Sequence, residues 1–300
     1  MAGSPSPEQQ SRTGEASGSW RHPSVLVGLV GTGIQASRTP ALHEREGAEQ
    51  GLRYVYKLID LEMLGLDAGA LQEILTAAQR FGFAGLNITH PCKQAVIPLL
   101  DELSPDAAAL GAVNTVVLNR GRRIGHNTDW WGFAESFRRE LPDVRRDRVV
   151  QFGAGGAGAA VAHALLTLGT GEVVILDTDE AKARDLSTAL CARFGKGRAT
   201  ASSSPAEALV SANGMVNTTP LGMAKYPGMA VPPDLLRSDL WVADIVYFPL
   251  ETELLRQARL RGCRTMSGGG MAVFQAIGAF QHFTGLEANT ERMLRHFREM

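Results

Sequence analysis

Three short segments carry side chains suited to gripping hydroxyl groups and moving protons. They are Gly85-Leu-Asn-Ile-Thr-His-Pro-Cys-Lys93, Gly111-Ala-Val-Asn-Thr115 and His126-Asn-Thr-Asp129. In each, an apolar run of strand character ends in Asn, Thr, Lys or Asp, which is hydrogen-bonding equipment rather than core packing. Oxidation of a secondary alcohol needs such groups. A positioned lysine can accept or return the hydroxyl proton as hydride leaves the carbon, and a nearby carboxylate can hold lysine and substrate in register. Read singly, the same residues have plainer roles. Lys93 at a helix start is a solvated side chain, and Asp129 is an N-cap for a helix beginning at Trp130.

The redox partner for that chemistry is suggested downstream. Gly153-Ala154-Gly155-Gly156-Ala157-Gly158 follows a strand-like run and opens a helix, the context that makes a GxGxxG spacing informative. Glycines there allow a tight turn and let a pyrophosphate approach the partially positive helix N-terminus. Asp177 ends the next strand, about 20 residues on, where a carboxylate binds ribose hydroxyls and repels a 2′-phosphate. NAD is therefore expected over NADP, although Asp177 also suits a helix cap.

Around these groups the chain alternates strands and helices. Strands are expected over 24–30, 54–59 and 84–89, with helices starting near Thr39 and over 68–81 and 93–100. Residues 113–118 and 122–126 form a hairpin. Thr39 is the expected N-cap of the first helix, with Pro40 at its first position. From Asp129 the pattern becomes helix 130–140, strand 148–152, helix 159–168, strand 173–176, helix 179–194 and strands 214–217 and 240–245. Helices over 271–283 and 290–300 close the chain. The fold class is α/β with two domains: a substrate-binding domain over 24–128, completed by 271–300, and a doubly wound Rossmann-type nucleotide domain over 129–270.

Composition excludes other classes. The 300 residues are 44% hydrophobic and 20% charged, with a formal net charge of -1, so neither nucleic acid nor an acidic membrane surface is an expected partner. Residues 1–23 are too polar to form a core and are expected to be disordered. They also lack a secretory apolar segment. Cys92, Cys191 and Cys263 form neither a disulfide framework nor a metal cluster, which points to the cytoplasm and to no metal.

Taken together, Ser37-Arg-Thr-Pro40, Asn87-Ile-Thr-His-Pro-Cys-Lys93, Gly111-Ala-Val-Asn-Thr115, Asn127-Thr-Asp129, the glycine loop, Asn217-Thr-Thr-Pro-Leu-Gly-Met223 and Met271-Ala-Val-Phe-Gln275 resemble the shikimate dehydrogenase family. The quinate/shikimate branch that uses NAD is the nearest match, over residues 25–300. The resemblance implies Lys93 and Asp129 as the proton-handling pair. It puts the substrate carboxylate on Ser37 and Thr39, and ring hydroxyls on Thr89, Asn114 and Gln275, with Tyr247 on the substrate side. Asn217, Thr218, Thr219, Gly270 and Met271 join the glycine loop and Asp177 on the cofactor side. The implied activity is reversible oxidation of shikimate or quinate to the 3-dehydro ketone, by a monomer or homodimer. Specialisation for shikimate, quinate or aminoshikimate alone is the near alternative, and a nicotinamide-binding regulator without turnover the distant one. A methylenetetrahydrofolate-type dehydrogenase shares the two-domain plan, but a Ser37/Thr39 clamp does not suit a pterin. Ser267, Phe274 and Trp130-Trp131 depart from the family pattern and are expected around the pocket mouth, where they bear on ring-substituent preference.

Overall fold

The structure, a computed structural model, describes residues 24–300; the tail expected to be disordered lies outside the described residues. The first half comprises β1 (Ser24–Gly31), α1 (Thr39–Glu49), β2 (Arg53–Asp60), α2 (Leu61–Leu64), α3 (Leu71–Arg80) and β3 (Gly85–Ile88). It continues with α4 (Cys92–Ala95), β4 (Glu102–Leu103), α5 (Pro105–Leu110), β5 (Thr115–Asn119) and β6 (Arg122–His126). These strands form one mixed sheet in the order β2-β1-β3-β5-β6-β4. β2, β1 and β3 run parallel, while β5 and β6 form an antiparallel hairpin beside β3.

α6 (Asp129–Glu140) leads into the second half: β7 (Arg148–Phe152), α7 (Gly156–Thr167), β8 (Glu172–Leu176), α8 (Glu180–Phe194), β9 (Ala199–Ala201), α9 (Pro205–Val210) and β10 (Gly214–Asn217). β11 (Trp241–Asp244), α10 (Glu253–Leu260) and β12 (Arg264–Met266) complete it. The second sheet is wholly parallel, ordered β12-β11-β10-β7-β8-β9. Counted from β7, that is the 3-2-1-4-5-6 order of dinucleotide-binding folds, with its switch point between β7 and β10. Its central strands are continuous apolar runs because helices cover both faces.

α11 (Gly268–Thr284) and α12 (Thr290–Glu299) return the chain to the first sheet. Phe280 and Phe283 pack with Val27, Leu29, Tyr54 and Tyr56, and Phe274, Met293 and Phe297 pack with Leu42 of α1. A bidentate ion pair from Arg292 to the fully buried Glu46 ties α12 to α1, at 2.6 and 2.8 Å. α6 and α11 cross closely: a Cβ on Gly132 would stand 2.8 Å from the Gln275 nitrogen. The result is a two-domain α/β fold with α6 and α11 running between its halves.

Several boundaries differ from the sequence pattern for local reasons. The helix expected over 93–100 is a four-residue α4 followed by a 3-10 turn, Ile97–Leu99, because Pro98 lacks the donor an α-helix needs. The helix expected from Ala68 begins as a 3-10 turn and becomes α3 only at Leu71. Thr39 is not the N-cap: it is the first residue of α1, and Arg38 takes the cap position without a side-chain bond. α2, α5, α9, α10, β4, β9 and β12 were not foreseen. All are short, and their periodicity does not stand out over so few residues.

Candidate active site

Lys93 lies in α4, directly after the end of β3, and Asp129 is the first residue of α6, directly after β6. The two strands flank β5, so both residues emerge at the same edge of the first sheet. Lys93 Nζ donates to Asp129 Oδ2 at 2.6 Å, with the side chains 21% and 10% exposed. Asp129 is no helix cap, since its carboxylate faces Lys93 and Asn114 while Asn127 Oδ1 accepts from its main-chain N–H. A charge pair this enclosed keeps most of its Coulomb attraction yet retains an open side for a ligand.

Asn114 is nearly closed off, at 3% exposure. Its Nδ2 donates to Asp129 Oδ1 and to Thr128 Oγ1, both at 2.9 Å, and its Oδ1 accepts from the Thr128 N–H at 2.8 Å. Its internal contacts orient Asp129. Thr89 is different: it is half-buried, and its hydroxyl makes no hydrogen bond with the described residues. Gln275 is brought within one residue of Asp129, because Thr128 Oγ1 donates to the Gln275 carbonyl at 3.0 Å. Its side-chain amide, however, donates back to Ala272 O at 3.0 Å.

The loop from Gly31 to Arg38 lies beside the Thr89–Lys93 turn, with Thr32 N–H donating to His90 O at 3.0 Å. Buried Asp60 holds this loop through the Gly33 and Ile34 N–H groups and Gln35 Nε2, and Ser37 Oγ accepts from Thr39 N–H at 3.3 Å. Arg38 sits between Phe248, which follows β11, and Phe297 of α12, its guanidinium 5.5 and 5.6 Å from the ring centroids. This stack ties the Ser37–Thr39 segment to the loop after β11. Tyr247, beside Phe248, is 39% exposed, but the surrounding walls desolvate its phenol. That raises its pKa above the ordinary tyrosine range, with the Arg38 charge opposing and the Asp129 charge adding. Both charges therefore act on the Tyr247 phenol.

On the second sheet the glycine loop is fixed by side chains behind it. Gln151 Nε2 donates to Gly153 O and Gly158 O, and Thr218 Oγ1 donates to Phe152 O and Gly153 O. A Cβ on Gly158 would lie 2.4 Å from Gly153 O, and one on Gly153 would lie 2.6 Å from Thr218 Oγ1 at a φ of +104°. Gly155 and Gly156 face open space, with nothing within 4 Å of a notional Cβ. Gly155 caps α7 without a side-chain bond, so the first-turn N–H groups point into a cradle that fits a pyrophosphate. Ala154 and Ala157 flank that cradle, half-buried.

Asp177 lies at the cradle's edge: Oδ2 accepts from Ala154 N–H at 2.7 Å and Oδ1 from Asp179 N–H at 2.9 Å. It does not cap α8, a role Asp179 fills by accepting from Ala181 N–H. The cationic Arg184 is turned to Glu180 at 3.0 Å. Asn217 is 1% exposed and pins its own loop, donating to Leu221 O and Asp244 Oδ1 and accepting from Thr219 N–H and Oγ1. Met271 is buried in the first turn of α11. Gly270 beside it serves packing, since a Cβ there would stand 2.1 Å from Ser136 Oγ of α6.

One expectation about the departures is corrected. Trp130 and Trp131 are half-buried and line a pocket with His126, Asn127, Thr128 and His282, where Trp130 also meets His163 edge-on at 5.3 Å and Trp131 meets Phe274 at 6.1 Å. Phe274 is itself buried, at 3% exposure. Phe274, expected at the pocket mouth, is therefore interior, while the bulk after Asp129 stays partly open to solvent. Sequence reasoning also passed over Tyr56, Asp60, Asn87, Gln151 and Asp244 as supporting residues. Each is a polar group inside an apolar strand run or at its end, and burial obliges such a group to find partners. That was the available signal.

A parallel sheet with a dinucleotide cradle, facing a mixed sheet that carries an enclosed Lys–Asp pair, defines a two-domain oxidoreductase. The family model described as the shikimate dehydrogenase substrate-binding domain matches residues 29–116, and one described as the ThiF family matches residues 131–241. The chain is 58% identical over 279 residues to a shikimate dehydrogenase (NADP(+)) of Streptomyces avermitilis, covering 92% of this chain and 96% of that one. It is 49% identical over 279 residues to a quinate/shikimate dehydrogenase (NAD(+)) of Corynebacterium efficiens, covering 92% and 98%. A solved quinate dehydrogenase of Corynebacterium glutamicum in complex with NAD superposes with a TM-score of 0.88 at 46% identity, covering 93% of this chain and all of that one. The chain belongs to the shikimate dehydrogenase family.

Proposed function

We propose that the protein catalyses the reversible oxidation of the ring hydroxyl of shikimate and quinate to the 3-dehydro ketones, with NAD as its preferred cofactor. The observation that carries this reading is the 2.6 Å Lys93–Asp129 pair, its Lys93 in the same turn as Thr89, whose hydroxyl has no hydrogen-bond partner among the described residues. Residues 24–128 and 271–300 serve the substrate, and residues 129–270 serve the nucleotide. Ser37 and Thr39 take the substrate carboxylate. Thr89 and Gln275 hold ring hydroxyls, Gln275 by releasing Ala272 O, and Asn114 contributes by aiming Asp129. Tyr247 closes the substrate from the far wall.

When bound in the glycine cradle, the nicotinamide supplies the hydride-accepting chemistry. As the neutral amine, Lys93 takes the proton from the reacting hydroxyl oxygen and becomes the ammonium; in the reverse direction the ammonium gives that proton back, and in both forms an Nζ–H to Asp129 Oδ2 holds the nitrogen in place. The Gly155 and Gly156 cradle would hold the pyrophosphate, and Met271 would help to hold the nicotinamide. Asn217, Thr218 and Thr219 shape the loop where the cofactor crosses the sheet. NAD preference is supported by Asp177 at the cradle edge and by Arg184 turned away toward Glu180. The names of similar proteins divide between the two nucleotides, so the charge of Asp177 carries this part.

The free thiols of Cys92, Cys191 and Cys263 agree with a cytoplasmic enzyme. No helix of the described residues is long and apolar enough to cross a membrane, and no metal-ligand cluster occurs among them. The deciding experiment assays purified protein with shikimate and quinate, each with NAD and NADP. Turnover of both acids, with kcat/KM at least about tenfold higher for NAD, is expected. Turnover with NADP alone would sink the cofactor assignment, and turnover of neither acid the substrate assignment.

A further inference from the structure

A file of hydrogen bonds crosses the first sheet from its interior to the proton-handling pair. Tyr56 of β2 lies under α11, its ring 5.0 Å from His43, and its hydroxyl donates to Asn87 Oδ1 at 2.7 Å. Asn87 Nδ2 donates to Thr115 Oγ1 at 3.0 Å and to Asn114 O at 3.2 Å. Thr115 Oγ1 donates to Asn114 Oδ1 at 3.0 Å, and Asn114 Nδ2 donates to Asp129 Oδ1 at 2.9 Å. Asn87 and Thr115 are directly paired across β3 and β5, so the file follows the sheet's own register. Tyr56, Asn87, Thr115 and Asn114 are 6%, 4%, 0% and 3% exposed, leaving water little chance to replace a lost partner.

The file has a direction. An amide's oxygen and nitrogen have nearly the same shape, so only partners decide which way it points. A phenol hydroxyl has one proton, and burial pushes the Tyr56 pKa well above the ordinary range, so this group remains a donor. Its donation fixes Oδ1 of Asn87 toward Tyr56 and Nδ2 toward Thr115. Thr115 Oγ1 then accepts from Asn87, and its own proton goes to Asn114 Oδ1. That leaves Asn114 Nδ2 facing Asp129.

We propose that Tyr56 is a positioning residue for the proton-handling pair: its hydroxyl sets the sense of this hydrogen-bond file and keeps the Asn114 amide aimed at Asp129. The inference rests on the reading of Lys93 and Asp129 given above. Without the hydroxyl, only the 3.2 Å bond from Nδ2 to Asn114 O holds the Asn87 amide in this sense, and in molecules where it turns, Thr115 donates to Asn87 Oδ1 and abandons Asn114. Asn114 keeps the Thr128 N–H as a second anchor, so the loss is partial.

The test is Tyr56→Phe, with Thr115→Val and the double variant, in the full chain. Tyr56→Phe should lower kcat roughly 3- to 10-fold, the scale of one net hydrogen bond, with KM for acid and nucleotide within about twofold. Asp129 is faced by Lys93 from α4 and Tyr247 from the loop after β11, and neither is altered. The loss should therefore fall on kcat and leave substrate binding in place, the split that a misaimed Asp129 gives. The double variant should be no slower than Thr115→Val, since both act through one amide. Wild-type kcat in Tyr56→Phe, losses that multiply, or a loss that appears in KM rather than kcat would overturn the proposal. If Tyr56→Phe does not fold, a normal kcat in Thr115→Val overturns it instead. Asp129→Asn separates the levels. If that variant is inactive while Tyr56→Phe is normal, only the file is wrong; if it is fully active, the underlying reading fails.

Discussion

The two ends of the cleft are built by opposite means. At the nucleotide end the ligand-facing surface is mostly backbone: Gly155 and Gly156 open onto empty space, and the polar side chains nearby are spent holding the loop. At the reacting end the surface is side chain, and its aim depends on amides and hydroxyls that orient one another from Tyr56 to Asp129. A backbone cradle needs only space and a helix N-terminus, so it offers an anion site whatever the sheet behind it contains. A side-chain pair needs every partner correctly turned. The two ends should therefore fail differently under mutation, the reacting end steeply and the nucleotide end by clash or by charge.

The steepest loss is expected at Lys93. Lys93→Ala should lower kcat by roughly 10²- to 10⁴-fold, the usual worth of a positioned acid–base group, while NAD binding measured directly changes little. Asp129→Asn keeps the shape and removes the charge, so it should fall in the same range with a smaller loss. Near-normal kcat in Lys93→Ala would take the residue out of the chemistry and erase the proposed contrast between the ends.

At the nucleotide end the corresponding break is steric. Gly158→Ala places a methyl 2.4 Å from Gly153 O, a backbone atom with no rotamer to yield. The loop must shift, at about 1–3 kcal/mol if it behaves as overpacking elsewhere. The expected outcome is a raised KM for nucleotide and a lowered melting temperature, with kcat at saturating nucleotide reduced far less than by Lys93→Ala. An unchanged nucleotide KM would mean that the cradle is looser than the geometry implies.

The same contrast explains what could be read in the sequence. The glycine loop is contiguous, and its strand–loop–helix setting is visible in the apolar runs on either side, so both the cradle and the parallel order around it were legible. The reacting end is assembled from residues spread between Ser37 and Gln275, and only the resemblance brought them together. Local chemistry misled where a competing constraint lay nearby. Pro98 ended a helix that the surrounding residues favoured, and Phe274 turned inward against Trp131 instead of lining the mouth. Tyr56 and Asn87 were invisible as a pair because they meet only across β1, 31 residues apart in sequence.

The smallest expected effect is the one that distinguishes charge from architecture at the nucleotide end. Asp177 does two things: it accepts the Ala154 N–H at 2.7 Å, anchoring the loop, and it carries a negative charge to the edge of the cradle. Two unit charges about 4 Å apart near a protein surface interact by roughly 4 kcal/mol before screening, and 1.4 kcal/mol is about tenfold in affinity. Asp177→Asn keeps an oxygen for Ala154 and removes the charge, losing only the acceptor for the exposed Asp179 N–H, which water can replace. It should therefore lower the NAD-to-NADP ratio of kcat/KM by about tenfold, chiefly by admitting the 2′-phosphate, with at most a small loss of stability. Asp177→Ala also removes the anchor, so it should relax the same ratio while raising KM for both nucleotides. If Asp177→Asn left the ratio unmoved and Asp177→Ala merely weakened both cofactors, Asp177 would be an architectural residue alone. The nucleotide end would then carry no side-chain discrimination at this position, making its contrast with the reacting end sharper still.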